Sequence, residues 1–319
     1  MKDVELLMLG PMMPMIAEAL ETQCTLHKAW EAPDPQVFVR EIGPLVRGLA
    51  GGHGRVDGAL FDQLPQLEIV ANFGVGYDTI DAGEAGRRGI VVTNTPDVLT
   101  DEVADLAIGL LLATLRHLPQ ADRYLREGRW LEKPYPLTPT LRGRKVGILG
   151  LGRIGGAVAK RLEGFGVELG YHGRREQAGV PYRYFGTLRD LAAWSHVLIC
   201  VAPGGGETKG IVDAAVFEAL GPDGVFVNVG RGSTVDEPAL IAALKAGTIG
   251  SAGLDVFADE PRVPSELIEL EHVVLLPHVG SASVETRRAM GQLVVDNLLS
   301  WFSGKGPLTP VAETPWPKN

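Results

Sequence analysis

Short apolar runs separated by stretches of helical periodicity mark the first hundred residues of the chain. The runs Val4–Leu9, Leu67–Ala71 and Ile90–Thr93 have the length of buried strands, and Met15–Leu20 follows the period of a helix. Strands that alternate with helices indicate a parallel sheet, because parallel neighbours need a long crossover connection. The pattern therefore predicts an α/β domain at the start of the chain.

A second, longer series of apolar runs begins at residue 146. With helices in most of the intervals, its predicted strands are Val146–Leu149, Val167–Tyr171, Val197–Val201, Val225–Val229, Ser251–Val256 and Val273–Leu276. This rhythm is typical of a doubly wound sheet. The helix Val284–Phe302 has no strand after it, so we expect it to return to the first domain and to leave a Pro-rich tail on the surface.

Two crossings of the chain, near 97–102 and near 280–284, divide these two series into two domains. The first domain takes residues 1–99 and 284–319, and the second takes residues 100–283. Clefts between domains are common ligand sites, so we expect a ligand to bind between them.

One predicted helix of the second domain, Val103–Leu118, carries too many apolar residues for a solvent-exposed helix. Thr100 or Asp101 can cap its N-terminus. We expect it to lie between domains or between subunits, since its uncovered face would be a larger apolar patch than monomers usually carry. The helix therefore favours a homodimer.

Composition narrows the classes of protein to which the chain can belong. With 45% apolar and 22% charged residues, it is typical of a globular protein, and its net charge of −9 argues against a nucleic-acid partner. No run approaches the roughly 18–20 apolar residues of a membrane span, and the N-terminus does not resemble a signal peptide. Cys24 and Cys200 are far apart, which predicts no metal site and suits a reducing cytoplasm.

A glycine-rich loop follows the first strand of the second domain. Gly150, Gly152 and Gly155 form a G-x-G-x-x-G motif between a strand and a helix, the context of a dinucleotide site. They would permit the turn, the approach of a pyrophosphate and close helix packing, respectively. The phosphates would bind unpaired N–H groups of the helix N-terminus, where Arg153 and Ile154 lie. The alternative is a plain glycine turn without a ligand.

Polar segments follow three neighbouring strands of the second domain and carry Arg231, Glu260 and His278. In an open α/β sheet the carboxyl ends of the strands border one crevice, so we expect these side chains to converge. Arg231 could bind a carboxylate through two parallel hydrogen bonds. His278 could transfer a proton, and Glu260 could stabilise its imidazolium form. Taken singly, each could instead be a surface arginine, a solvated acid or a structural histidine.

Five motifs together make the sequence resemble the D-isomer-specific 2-hydroxyacid dehydrogenase family, in its glyoxylate/hydroxypyruvate and hydroxyphenylpyruvate reductase branch. They are GVGYD, GLGRIG, NVGRG, GLDVFADEP and LPHVGS, and the resemblance covers nearly the whole chain. It implies an α/β fold of two doubly wound domains with an interdomain cleft. Residues 100–283 would form a Rossmann-type dinucleotide-binding domain, and 1–99 with 284–319 a flavodoxin-like substrate-binding domain. The resemblance also favours a homodimer.

The resemblance implies the chemistry of the three strand-end residues. His278 would protonate the keto oxygen of a small 2-oxo acid as hydride arrives from a nicotinamide. Glu260 would keep His278 protonated, and Arg231 would bind the carboxylate and carbonyl of the acid.

The resemblance also implies contacts with the substrate and the cofactor. The backbone N–H groups of Val75 and Gly76 would hold the substrate carboxylate from the opposite wall, and Ser281 would lie near the substrate. Asp255 would anchor the nicotinamide carboxamide. The full cofactor-binding set is Gly150, Gly152, Arg153, Ile154, Gly155, Gly173, Arg174, Arg175, Thr208, Val229, Arg231, Asp255, His278 and Gly280.

The end of the second strand in this domain bears on the choice of nicotinamide cofactor. Where NAD-dependent members of the family carry an acid that bonds the ribose hydroxyls, this sequence has Gly173, followed by Arg174 and Arg175. Two guanidiniums could bind a 2′-phosphate that no carboxylate repels, and Thr208 could add a hydroxyl contact. The sequence therefore predicts NADP(H) in preference to NAD(H), against the alternative of an ordinary basic turn.

The expected activity is NADPH-dependent reduction of a small 2-oxo acid to a D-2-hydroxy acid. Glyoxylate, hydroxypyruvate, hydroxyphenylpyruvate and 2-oxo sugar acids all remain candidate substrates. Two other functions use the same fold: a cofactor-sensing, corepressor-like protein that binds partners, and a dehydrogenase of formate or phosphite.

Overall fold

The computed structural model describes residues 2–51 and 54–317 and forms two compact units. Unit 1 comprises Met1–Leu99 and Ser283–Asn319, and unit 2 comprises Thr100–Ala282. No helix among the described residues is both long and apolar enough to cross a membrane.

Strands and helices alternate through most of both units. The strands are β1 (Glu5–Met8), β2 (Thr25–Lys28), β3 (Val46–Gly51), β4 (Ile69–Asn72), β5 (Val91–Thr93), β6 (Lys145–Leu149), β7 (Glu168–His172), β8 (Arg183–Tyr184), β9 (Val197–Cys200), β10 (Val225–Asn228), β11 (Ser251–Leu254) and β12 (Val273–Leu275). The α-helices are α1 (Pro14–Gln23), α2 (Pro35–Ile42), α3 (Gly58–Phe61), α4 (Ala82–Arg87), α5 (Thr100–Leu115), α6 (Leu118–Arg126), α7 (Arg153–Leu162), α8 (Leu188–Trp194), α9 (Ala214–Leu220), α10 (Glu237–Ala246), α11 (Ser265–Ile268) and α12 (Val284–Phe302).

Each unit is built on one parallel sheet whose strand order reverses beside its first strand. In the described part of unit 1 the order is β2-β1-β3-β4-β5, as in flavodoxin-like folds. Unit 2, which is described throughout, has the order β12-β11-β10-β9-β6-β7-β8, a Rossmann order with one additional strand. The predicted fold class of two doubly wound α/β units is confirmed.

The sheet of unit 1 is covered on both faces, which explains why β1, β4 and β5 lie in nearly continuous apolar runs. Successive residues of β1 face different clusters: Leu6 packs with residues of α1 and α12, and Leu7 packs with residues of α2 and α3. As predicted, helix α12 returns to unit 1, where it contacts α1 and β4. Because helices cover both faces, the loops that follow the carboxyl ends of the strands are the part of the sheet that can form a binding site.

The predicted long helix Val103–Leu118 is wrong, because the structure has two helices here. His117 separates α5 from α6 with a left-handed φ of 52°, and Pro119 lies in the first turn of α6, where its missing N–H is tolerated. The buried residues of α5 pack against α7 and β11 of the same unit. Burial of this apolar helix therefore does not by itself require another domain or subunit.

Candidate active site

The glycine-rich loop connects β6 to α7 at the point where the strand order of unit 2 reverses. Gly150 has a φ of 94°, a left-handed conformation that favours glycine. A Cβ on Gly155 would overlap the carbonyl of Gly150, whereas Gly152 faces open space. No side chain caps the N-terminus of α7, so its first N–H groups remain available to an anion.

The loop after β7 presents the two predicted phosphate-binding arginines. Arg174 and Arg175 are exposed, and neither forms a hydrogen bond or ion pair with any residue that the structure describes. A Cβ on Gly173 would meet no atom within 4 Å. The position predicted to replace an acid therefore has room for a larger side chain.

Gln177 and Thr208 form hydrogen bonds within the loops that are predicted to bind the cofactor. The side chain of Gln177, which sequence reasoning missed, donates from Nε2 to the carbonyl of Leu151 at 2.8 Å and so ties the arginine loop to the glycine loop. The Thr208 hydroxyl donates to the carbonyl of Pro203 at 2.7 Å. That hydrogen bond within its own loop leaves the hydroxyl oxygen of Thr208 as an acceptor.

Arg231 sits on a short loop after β10 that is fixed by its neighbours. Asn228 accepts from the N–H of Gly230 and donates to the carbonyl of Arg231, both at 3.0 Å. A Cβ on Gly232 would overlap the backbone of Phe257. The glycine therefore lets the Arg231 loop lie directly against the segment that leads to Glu260. Val229, at the start of this loop, is buried and donates its N–H to the carbonyl of Cys200 at 3.1 Å.

Glu260 and His278 form a hydrogen-bonded pair beyond β11 and β12. Nδ1 of His278 lies 2.6 Å from Oε2 of Glu260, and the N–H of Phe257 donates to Oε1 of Glu260 at 3.0 Å. Burial raises the pKa of Glu260, but the His278 hydrogen bond, the Phe257 N–H and the positive charges of His278 and Arg231 outweigh it, so the pKa lies below its usual value. Glu260 is therefore the ionised partner that can stabilise an imidazolium.

Asp255 fixes the turn that carries His278. It is 1% exposed, and its two carboxylate oxygens accept the N–H groups of Val279 and Gly280 at 2.7 and 2.8 Å. Burial raises the pKa of Asp255, against the lowering effect of these two N–H donors. The φ of His278 is 53°, so the turn holds a strained residue. Asp255 thus positions His278; the predicted contact with a carboxamide stays a prediction.

The loop that carries Val75 and Gly76 belongs to unit 1 and exposes N–H groups. Nδ2 of Asn72 donates to the carbonyls of Gly74 and Gly76 at 3.0 Å each, and Nδ2 of Asn94 donates to that of Val75 at 2.8 Å. The N–H groups of Gly74, Val75 and Gly76 donate to no acceptor among the described residues. Successive unpaired N–H groups of this kind bind anions.

Within unit 2 the structure brings together Arg231, Glu260 and His278 on three neighbouring strand ends, as the sequence predicted. Ser281 is half-buried three residues beyond His278. The sequence did not predict Asn72 and Asn94 as functional residues, because a single asparagine forms no recognisable motif. The available signal was their position, since Asn72 ends β4 and Asn94 directly follows β5.

Known proteins are similar to the chain in sequence along most of its length. Residues 108–280 match the family described as D-isomer specific 2-hydroxyacid dehydrogenase, NAD binding domain. The chain is 49% identical to glyoxylate/hydroxypyruvate reductase A of Arabidopsis thaliana over 312 residues, which cover 98% of this chain and 100% of that protein. It is 46% identical to hydroxyphenylpyruvate reductase of Plectranthus scutellarioides over 312 residues, with the same coverage of 98% and 100%.

A solved structure is similar over the same extent. The NADPH-dependent glyoxylate/hydroxypyruvate reductase of Sinorhizobium meliloti, in complex with NADP and malonate, superimposes with a TM-score of 0.92. Its sequence is 51% identical, and the match covers 99% of each chain.

Proposed function

Because the chain belongs to the D-isomer-specific 2-hydroxyacid dehydrogenase family, and is an NAD(P)-dependent oxidoreductase, we propose that it reduces small 2-oxo acids to D-2-hydroxy acids with NADPH. The observation that carries the proposal is the ionised Glu260 bonded to His278, with the charge of Arg231 acting on it. This set combines a proton donor with a carboxylate-binding guanidinium. The names of the relatives favour glyoxylate and hydroxypyruvate as substrates.

The residues of unit 2 fit a dinucleotide. Uncapped N–H groups at α7, open space at Gly152 and the arginine pair after β7 would receive the pyrophosphate and a 2′-phosphate. When bound, the reduced nicotinamide supplies the hydride. The residues that would hold the cofactor are Gly150, Gly152, Arg153, Ile154, Gly155, Gly173, Arg174, Arg175, Thr208, Val229, Arg231, Asp255, His278 and Gly280.

The protein's own chemistry is the transfer of one proton to the carbonyl oxygen of the acid. Because Nδ1 of His278 is bonded to Glu260, Nε2 is the nitrogen left to donate. Glu260 stabilises the imidazolium before transfer, and Arg231 binds the substrate carboxylate and polarises its carbonyl. The N–H groups of Val75 and Gly76, and Ser281, complete the proposed set of substrate-binding residues.

Steady-state assays with purified protein test this function. We expect NADPH oxidation with glyoxylate or hydroxypyruvate at a kcat/KM of about 10⁴ M⁻¹s⁻¹ or more, and a D-configured product from hydroxypyruvate. Hydroxyphenylpyruvate and 2-ketogluconate complete the panel, and each acid is run with NADPH and with NADH. NADPH binding without turnover of any 2-oxo acid would support the cofactor-sensing alternative. Reduction of NADP⁺ by formate or phosphite, without turnover of any 2-oxo acid, would instead support a formate or phosphite dehydrogenase.

We also propose that the chain forms a homodimer through residues 118–137. Exposed large apolar side chains of unit 2 concentrate in this segment, at Leu118 (52% exposed), Leu125 (55%), Trp130 (65%), Leu131 (93%) and Leu137 (101%). Light scattering should give about twice the chain mass of 34.1 kDa. Leu125→Lys together with Leu131→Lys should shift the mass toward that of one chain, because the symmetric interface would then bury four charges, two from each chain. A wild-type mass of one chain would contradict the proposal.

A further inference from the structure

The C-terminal segment after α12 is attached to β5, beside the loop that carries Val75 and Gly76. Val311 and Thr314 are each 5% exposed, so the expectation that the tail lies on the surface is wrong for these residues. The N–H of Val311 donates to the carbonyl of Val92 at 2.9 Å. The hydroxyl of Thr314 accepts the N–H of Val92 at 2.9 Å and donates to the carbonyl of Val92 at 3.1 Å. We call residues 308–314 the C-terminal strap.

The strap forms hydrogen bonds with Asn94, and the side-chain amide of Asn94 in turn donates to the carbonyl of Val75. The hydroxyl of Thr309 donates to the carbonyl of Asn94 at 2.6 Å, and the N–H of Asn94 donates to the carbonyl of Thr309 at 3.2 Å. Thr309 in turn is fixed by Asn297, a residue of α12 that is 1% exposed. Asn297 donates to the Thr309 hydroxyl at 3.0 Å and accepts the N–H of Thr309 at 3.1 Å. The chain of contacts thus runs from α12 through Thr309 and Asn94 to the loop.

The strap reaches the other end of the same loop through Glu313. The hydroxyl of Tyr77 donates to Oε2 of Glu313 at 3.0 Å. Burial, the Glu313 hydrogen bond and the nearby carboxylates raise the pKa of Tyr77 to about 12, so its phenol keeps the donated proton at neutral pH. The strap therefore acts on this loop at two points, at Val75 through Asn94 and at Tyr77 through Glu313.

We propose that the C-terminal strap positions the N–H groups of Val75 and Gly76, and thereby sets the affinity of the enzyme for the carboxylate of its 2-oxo acid. The inference rests on the proposed function of this loop. Hydrogen bonds to a carboxylate need donors within a few tenths of an ångström of their best positions. The carbonyls of Gly74, Val75 and Gly76 accept from two asparagine amides and from the N–H of Thr95, and Asn94, the asparagine that donates to Val75, is held by Thr309.

Thr309→Val and Thr309→Ser form a matched pair that tests the proposal. Valine keeps the shape of threonine but cannot donate to Asn94, whereas serine can. We expect Thr309→Val to raise both the KM for glyoxylate and the Ki for oxamate, an unreactive 2-oxo acid analogue, about 3- to 10-fold, the cost of one hydrogen bond. The kcat and the KM for NADPH should change less than about twofold, since positioning acts on the carboxylate. Thr309→Ser should behave like wild type.

Glu313→Leu and Glu313→Gln give a second pair on an exposed side chain, which keeps the test open if Thr309→Val does not fold. Leucine removes the acceptor of the Tyr77 hydroxyl and should raise the KM for glyoxylate and the Ki for oxamate. Glutamine retains an acceptor and should leave both values unchanged. Unchanged KM and Ki in Thr309→Val and Glu313→Leu overturn the proposal, and so does an equal loss in every kinetic constant. A wild-type protein that turns over no 2-oxo acid instead contradicts the proposed function itself.

Discussion

His278→Ala should lower kcat for 2-oxo acid reduction by about 10²- to 10⁴-fold, the usual contribution of a positioned general acid. Nδ1 of His278 is bonded to Glu260 at 2.6 Å, and Nε2 is left as the proton donor, so alanine removes the donor without disturbing the glycine loop or α7. The Kd for NADPH, measured by fluorescence titration, should change far less than kcat, because His278 is only one of the residues proposed to hold the cofactor and the others stay in place. Turnover within about threefold of wild type would exclude His278 as the acid.

Glu260→Gln provides the companion measurement, a pH profile. The pKa of Glu260 lies below its usual value, so the carboxylate is charged at neutral pH and loses its effect only as the pH falls through that lowered value. The wild-type rate should therefore fall on the acid side, as protonation removes the charge of Glu260. Glutamine keeps the shape without a charge to lose, so kcat/KM for Glu260→Gln should be lower at neutral pH and should lack this acid-side fall. The same acid-side fall in both proteins would show that the charge of Glu260 does not support the acid.

The positions of the proposed catalytic residues could be predicted because each follows a buried apolar strand that is easily recognised. Arg231 comes three residues after the end of β10 and His278 three residues after the end of β12, and strand ends in a parallel sheet share one edge. The same reasoning found the glycine loop. Local sequence is sufficient where a function needs an unusual residue at the end of an ordinary strand.

Strand β3 could not be predicted in this way, although it lies inside the sheet of unit 1. Arg47 and Gly48 interrupt its apolar pattern. A Cβ on Gly48 would collide with Leu6, and it would also press against Phe302 of α12. The glycine is therefore required by Leu6 and by Phe302, which lie more than 40 residues earlier and more than 200 residues later in the chain, and no local pattern reveals either contact.

The positioning contacts were also beyond the sequence. Asn94 reaches Val75 across 19 residues, and Thr309 reaches Asn94 across 215. Amide and hydroxyl side chains at such separations carry no periodicity. By contrast, the break between α5 and α6 could have been predicted from Pro119, because proline is disfavoured inside a helix. The continuous apolar run before it favoured one long helix instead.

Replacing Arg174 and Arg175 together by alanine should lower kcat/KM for NADPH by about 10- to 150-fold, the range for hydrogen bonds to a charged group. The value for NADH should change less than about threefold, because NADH has no 2′-phosphate to lose contact with. Neither arginine is committed to a described residue, so the fold does not depend on them. Arg142→Ala is the matched control, because this exposed arginine precedes β6 at the amino edge of the sheet and should affect neither cofactor.

Gly173→Asp should reverse the cofactor preference more strongly than loss of the arginines alone. A Cβ at Gly173 meets no atom within 4 Å, so the new side chain can be accommodated without moving the backbone. Its carboxylate would repel a 2′-phosphate and could accept the ribose hydroxyls of NADH. With Arg174→Ala and Arg175→Ala, we expect kcat/KM to become higher for NADH than for NADPH, and Kd values from fluorescence titration to change in the same direction. Equal losses with both cofactors would mean that this loop serves only the fold, and a wild-type protein that prefers NADH would contradict the assignment from the start.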